Sequence, residues 1–479
     1  MVNRIQEFKD NKNRRSLGVH LTSRDIFLKY ILPEIEKKLW KHTWIDLYAG
    51  EGNLILPILN SISYQNRIHF FKDHIFLFDI QPEMVQKCII NAKNYGIPPK
   101  IADKNIKLRD NLESFPKFLK NAQFPLFHIT NPPYLYLGYI RKHKETQKYL
   151  QFFKGKNDGY QDLYQIAMIN DLRNEIKDLI YIIPSNFLFG ASVSNKFRMD
   201  FFKYYNIVKM TIFETRIFEY TGTNICIGFF KKKKMPKSEK AEFRGIKIKK
   251  NDNLLEKKYI LKPEFKYRAG SEFDEFLKKY VIHRPLKVNY YLLKEEIMEN
   301  EGQNEIVVID ANNYQNNEYK KLTLHINENL KKKINSNLLY VRTVDTGSYN
   351  GRVGLGIITE DFKVDGIYVS GNTYRTHPIQ IFFEPIILPN EQKLLKNYFN
   401  FALEAFREKL DSEFLTTYKY SEAEYTRKYL GLTQVRKLIQ TFPYRELNEE
   451  LRSKLNDLIK EKDFNNILEL LNTCKDKGN

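Results

Sequence analysis

Apolar and polar positions in the first half of the chain switch between short continuous runs and helical spacing. The runs Thr43 to Tyr48, His74 to Phe78, Asn105 to Leu108, Phe124 to Thr130 and Leu179 to Ile183 are apolar with little alternation, as expected of strands covered on both faces. Between them, Ile26, Phe27, Tyr30, Ile31 and Ile35 predict one helix, Leu54 to Leu59 a second, and Pro82 to Tyr95 a third that Gly96 stops. Helices are also predicted from Asp162 to Leu172 and from Asn195 to Tyr204, and strands at Ile207 to Phe213 and Asn224 to Phe230. This order predicts an α/β fold: a Rossmann-like, mostly parallel sheet with a terminal hairpin, flanked by helices and binding ligands at the strand C-terminal ends. Phe243, Ile246 and Ile248 alternate as one more edge strand, so the boundary is placed near 260. Residues 1–260 form one domain and 261–479 a second, mixed α+β domain.

The chemistry gathers where the predicted strands end. The first strand runs through Asp46 into Tyr48-Ala49-Gly50-Glu51-Gly52-Asn53, a glycine turn that lets backbone approach a ligand and aims the next helix N-terminus at it. The second ends in Asp79-Ile80, where a carboxylate suits the two hydroxyls of a ribose. The third leads to Asp110-Asn111, with Asp110 placed either to accept from an adenine amino group or to cap the following helix. The fourth ends in Asn131-Pro132-Pro133-Tyr134. Two prolines stiffen that turn and remove two donors, leaving the Asn131 amide oxygen and the Pro132 carbonyl to accept from a primary amine, with Tyr134 as a flat stacking face. Leu135 to Gly159 is polar, basic and aromatic and reads as a mobile loop over that socket.

The second half is less regular. Lys231 to Lys240 reads as an exposed turn, and Glu299 to Asn337 as a mixed, Lys/Asn-rich polar stretch. Tyr340 to Pro389 is strand-rich, and Gly351-Arg-Val-Gly-Leu-Gly356 reads as a hairpin because no strand, turn and helix surround it. Helical spacing returns from Phe399 to Leu410, and the basic, aromatic stretch Tyr418 to Arg436 offers Arg427, Lys428, Arg436 and Lys437 either to phosphates or to solvent.

Composition adds a partner. The 479 residues carry a net charge of +20, with 31 Tyr and 34 Phe, so a polyanion with stacking bases fits. Cys88, Cys226 and Cys474 are too far apart in sequence for a metal motif, and a reducing cytoplasm is expected. No export signal, membrane span or metal requirement is read.

Taken together, Gly18 to Thr22, Asp46 to Gly52, Asp79, Asp110, Asn131 to Tyr134, Asp162-Leu-Tyr164, Ile183 to Phe187 and Phe218 resemble the S-adenosylmethionine-dependent DNA adenine-N6 methyltransferases of restriction-modification systems, in the gamma motif order. Ser23 departs from that pattern, which usually has proline there. The resemblance implies S-adenosylmethionine held by Thr22, Asp46, Tyr48, Ala49, Gly50, Gly52, Asp79, Ile80, Asp110, Asn111 and Asn131. It implies catalysis on an adenine swung out of duplex DNA by Asn131, Pro132, Pro133, Tyr134 and Phe218, with Tyr134 and Phe218 stacking on the ring. Residues 261–479 become a target-recognition domain, and a cognate endonuclease sharing the site is a further implied partner. RNA, a protein glutamine or cytosine N4 are alternative acceptors for the same tetrapeptide. Asp310 with Glu318-Tyr-Lys320 imitates a metal-nuclease set, a reading ranked below methyl transfer.

Overall fold

The computed structural model describes residues 22–215, 217–218, 224–249, 253–345, 351–419 and 427–476. Two compact units divide the chain, Met1–Ala269 and Gly270–Asn479.

The first unit is built on a nine-stranded sheet of order β3-β2-β1-β4-β5-β7-β6-β8-β9. Its strands are β1 (Thr43–Asp46), β2 (Ile75–Asp79), β3 (Ile106–Leu108), β4 (Leu126–Thr130), β5 (Asp178–Pro184), β6 (Tyr205–Phe213), β7 (Ile225–Lys232), β8 (Ala241–Ile248) and β9 (Leu254–Leu261). β1 to β5 are mutually parallel, and β7 inserts antiparallel between β5 and β6. The α/β architecture predicted from the apolar runs is therefore present. Every residue of β1 is buried and only the first of β4 is partly open, which is why these runs do not alternate. Helices α1 (Pro82–Asn94), α2 (Leu163–Arg173) and α3 (Asn195–Phe202) follow β2, β4 and β5 in sequence.

Three local expectations change. The glycine turn leads into a short 3-10 stretch, Leu56–Ser61, instead of an α-helix, so the dipole of a long helix does not point at the turn. Leu135 to Gly159 is not an open loop: it holds a helix, Leu137–Lys142, and a 3-10 stretch, Lys144–Phe153. Leu137, Ile140, Tyr149 and Phe153 are buried there, at a helical spacing that the intervening lysines disguise. The strand at 241–248 is not the edge, because β9 pairs along its outer side.

The second unit contains two four-stranded sheets, β10-β17-β14-β15 and β11-β16-β12-β13. These are β10 (Lys287–Tyr290), β11 (Leu292–Leu293), β12 (Glu301–Gln315), β13 (Glu318–Ile326), β14 (Leu339–Arg342), β15 (Gly354–Ile357), β16 (Gly366–Val369) and β17 (Ile379–Glu384). The polar stretch expected at 299–337 is thus a long hairpin followed by helix α4 (Glu328–Asn335). Its polarity misleads because β12 buries Ile306 and Val308 while β13 fully buries only Ile326. Gly354 and Gly356 lie in β15, antiparallel to β14, where a Cβ on Gly356 would stand 2.4 Å from the Tyr340 ring. The helical spacing from Phe399 belongs to a longer helix, α5 (Pro389–Leu410), whose first turns carry too few apolar residues to be seen. Among the described residues no helix is long and apolar enough to cross a membrane.

Candidate active site

Four parallel strands in the order β3-β2-β1-β4 end along one edge of the sheet, so their following loops meet there. Asp46, the last residue of β1, is 1% exposed and accepts from the Tyr48 N–H at 3.0 Å and from Thr130 Oγ1 at 2.6 Å. Burial raises its pKa to about 6, against the pull of the nearby His128 first and of those two hydrogen bonds after it. Asp79 closes the turn from the other side. Its Oδ2 accepts from Gly50 N–H at 2.9 Å and its Oδ1 from Gln81 N–H at 2.8 Å, while burial raises its pKa. Gly50 and Gly52 have φ of 53° and 84°, a backbone that side chains rarely adopt.

On the β3 side, Asp110 Oδ1 accepts from Leu112 N–H at 3.0 Å and Glu113 N–H at 3.3 Å, so this carboxylate does cap the turn after it. Asn111 donates to the Leu47 carbonyl at 2.8 Å, and its buried Oδ1 has no hydrogen-bond partner among the described residues. On the β4 side, Asn131 donates from Nδ2 to Thr22 Oγ1 at 2.9 Å, and Asn53 donates to the Thr22 carbonyl at 3.0 Å. The Tyr134 hydroxyl reaches both Asn131 Oδ1 and the Ile182 carbonyl, the latter at 2.6 Å.

These loops enclose a cleft of about 850 Å³, its open mouth included. Thr22, Asp46, Tyr48, Ala49, Gly50, Asp79, Ile80, Asp110, Asn111, Asn131 and Pro133 all line it. Gly52 does not: a Cβ there would meet Leu56 Cδ1 at 2.6 Å and Cys88 Sγ at 2.8 Å, so its close approach is to side chains of its own core. Pro132 and Tyr134 are also outside the lining, and Tyr134 is 9% exposed with its hydroxyl engaged, which replaces the open stacking face expected of it. Phe218 is 6% exposed and likewise outside the lining. Residues 18–21, 216 and 219, which frame two of the expected motifs, lie outside the described residues.

The cleft also takes Gln81, Leu112 and Tyr149, which the sequence did not single out. Gln81 and Leu112 each stand two residues beyond an aspartate that ends or follows a strand, a signal present in the sequence. Tyr149 comes from the stretch expected to be loop. In the second unit, Asp310 is 6% exposed and accepts from Asn312 N–H at 3.0 Å and from Ser370 Oγ at 2.8 Å, the second of which ties β12 to the end of β16.

Solved structures align with this chain at low identity. The Type IIL restriction-modification enzyme MmeI, determined in complex with DNA, aligns with a TM-score of 0.50 and 14% identity over 97% of this chain and 76% of its own. The modification subunit assigned to a type I restriction enzyme of Vibrio vulnificus YJ016 aligns with a TM-score of 0.37 and 14% identity, over 73% of this chain. A nuclease-deletion mutant of the Type ISP enzyme LlaGI, bound to a DNA substrate mimic, gives 0.41 and 14% over 61% of this chain. The chain spans 62% of the Vibrio subunit and 30% of LlaGI. No curated protein is similar enough to match. Residues 18–218, which carry the glycine turn, Asp79, Asp110 and the Asn131 to Tyr134 turn, match the family model of the Eco57I restriction-modification methylases, in keeping with the resemblance read from those motifs.

Proposed function

We propose that this chain methylates the N6 amino group of an adenine extruded from duplex DNA, with S-adenosylmethionine as methyl donor, within a restriction-modification system. The observation that carries the proposal is the cleft itself, where the acidic ends of β1 and β2 and the Asn131 turn converge.

The residues suit that donor. Asp79 keeps acceptor capacity for ribose hydroxyls beyond its two backbone bonds, and Asp110 and Asn111 Oδ1, which has no partner among the described residues, offer acceptors beside it. When bound, S-adenosylmethionine supplies a methyl already activated by its sulfonium charge. What remains for the protein is to orient the amine and exclude water. Asn131 Oδ1 and the Pro132 carbonyl accept the two amino hydrogens and turn the nitrogen lone pair outward. The Tyr134 hydroxyl has only one proton, and the Ile182 carbonyl is its second acceptor. Asn131 Oδ1 is thereby released to the amine without leaving a buried hydroxyl unpaired. Charge and the aromatic, basic composition of the chain favour DNA as the acceptor.

The test is transfer of labelled methyl from S-adenosylmethionine to unmethylated duplex DNA, with RNA and a protein extract in parallel, followed by nucleoside analysis. N6-methyladenine in DNA supports the proposal. Label confined to RNA, to protein or to cytosine N4 overturns it.

A further inference from the structure

Directly beneath the Asn131 turn lies a buried group that the proposed chemistry does not use. His128, on β4, is fully buried, as is Asp171 on α2. His128 Nδ1 stands 2.6 Å from Asp171 Oδ2, an oxygen that also accepts from the Tyr181 hydroxyl on β5. On the opposite edge of the ring, Nε2 lies 3.1 Å from the Leu47 backbone nitrogen. A backbone N–H only donates, so Nε2 must be the bare, accepting nitrogen. A ring proton therefore sits on Nδ1, facing the carboxylate.

Leu47 is the residue between Asp46 and Tyr48, both of which line the cleft. Its N–H is held by His128 and its carbonyl by Asn111 Nδ2 at 2.8 Å, so both backbone polar groups of this one residue, and with them the two peptide units that flank it, are fixed by side chains at the point where β1 ends. We infer that His128 is a positioning residue for the cofactor loop: Asp171 fixes its tautomer, and the tautomer fixes the Leu47 backbone from which Asp46, Tyr48 and the glycine turn are hung. The inference rests on the cofactor reading of the cleft. An imidazole with its proton on Nε2 would set donor against donor at Leu47 and push that loop away.

The test uses the full chain. S-adenosylmethionine binding is measured by calorimetry for the wild type, His128→Leu and His128→Gln, alongside thermal melting and turnover at saturating substrates. His128→Leu leaves the Leu47 N–H unpaired and is expected to weaken binding by about tenfold or more while turnover at saturation stays within about threefold. His128→Gln keeps an acceptor for Leu47 and a donor for Asp171, and is expected to restore affinity to within about threefold. Unchanged affinity in His128→Leu, or a loss in His128→Gln as large as in His128→Leu, overturns the inference. A wild-type chain that binds no S-adenosylmethionine overturns the cofactor reading as well, and does so before any variant is made. Should His128→Leu fail to fold, nitrogen-15 spectra of histidine-labelled wild type decide: a proton on Nδ1 near neutral pH supports the assignment, and one on Nε2 overturns it.

Discussion

Thr130 Oγ1 donates a 2.6 Å hydrogen bond to Asp46 Oδ1, tying the residue before the Asn131 turn to the last residue of the strand that leads into the glycine turn. The two loops that would hold donor and acceptor are thus coupled through one buried carboxylate. Thr130→Val keeps the shape and removes the hydroxyl. With a charge-stabilising donor gone, the Asp46 pKa, already about 6, moves further up. S-adenosylmethionine affinity is expected to fall, and to fall more at about pH 6 than at about pH 8, where the carboxylate is again ionised. Calorimetric titration across that range checks it; a pH-independent loss would detach Asp46 ionisation from cofactor binding.

Asn131→Ala separates binding from chemistry. Asn131 touches Thr22 at the cleft wall but is proposed to act on the amine, so binding of DNA and cofactor should remain within several-fold of wild type. Turnover should drop by about 10²–10³-fold, the scale of losing one positioned hydrogen-bonding group at a reacting centre. Single-turnover transfer with both ligands saturating is the measurement. Loss of both ligands instead would make Asn131 a purely structural residue.

The parts of this site legible in the sequence are those whose signal is local. Asp46, Asp79 and Asp110 could be found because each ends or follows an apolar run, and the Asn131 turn because two prolines mark it. What stayed hidden depends on partners far along the chain. His128 sits inside an apolar run and looks like strand filler until Asp171, Tyr181 and Leu47 are brought around it. Tyr149 was concealed by its lysine-rich neighbours. A glycine turn reads the same in sequence whether its close neighbour is a cofactor or, as a Cβ at Gly52 would find, Leu56 and Cys88. The hairpin of β12 and β13 was lost because a strand that buries little carries no apolar period.

Tyr134→Phe tests whether that residue acts through its ring or its hydroxyl. The ring is buried and the hydroxyl meets Asn131 and Ile182, so removing the hydroxyl takes away the contact that sets the Asn131 amide before the base enters, and turnover should fall by about tenfold with cofactor affinity little changed. Wild-type turnover in Tyr134→Phe together with loss in Tyr134→Ala would return the residue to a stacking role.

Asp162 reports on pH. It accepts from Leu135 N–H at 2.9 Å, and burial raises its pKa to about 7 in the folded chain, from a usual value of 3.8. Between those values the native state holds a proton that the unfolded state has released. Its ionisation therefore costs the fold stability progressively as pH rises from about 4 to about 7. Asp162→Asn, neutral throughout and still able to accept from Leu135, should gain melting temperature relative to wild type as pH increases over that window. Parallel melting curves of the two proteins would refute this if their difference stayed constant.

Gly52→Ala addresses the turn without touching the cleft wall. At φ of 84° the added Cβ is strained, and it would lie 2.6 Å from Leu56 and 2.8 Å from Cys88. The strain alone costs about 1–3 kcal/mol, and relieving the contacts requires the 3-10 stretch behind the turn to move. Stability should therefore fall measurably in denaturant unfolding. Affinity for S-adenosylmethionine should fall with it, because Gly50, two residues earlier, is held through this turn and its bond to Asp79. An alanine that leaves stability intact but abolishes binding would mean that Gly52 faces the ligand after all.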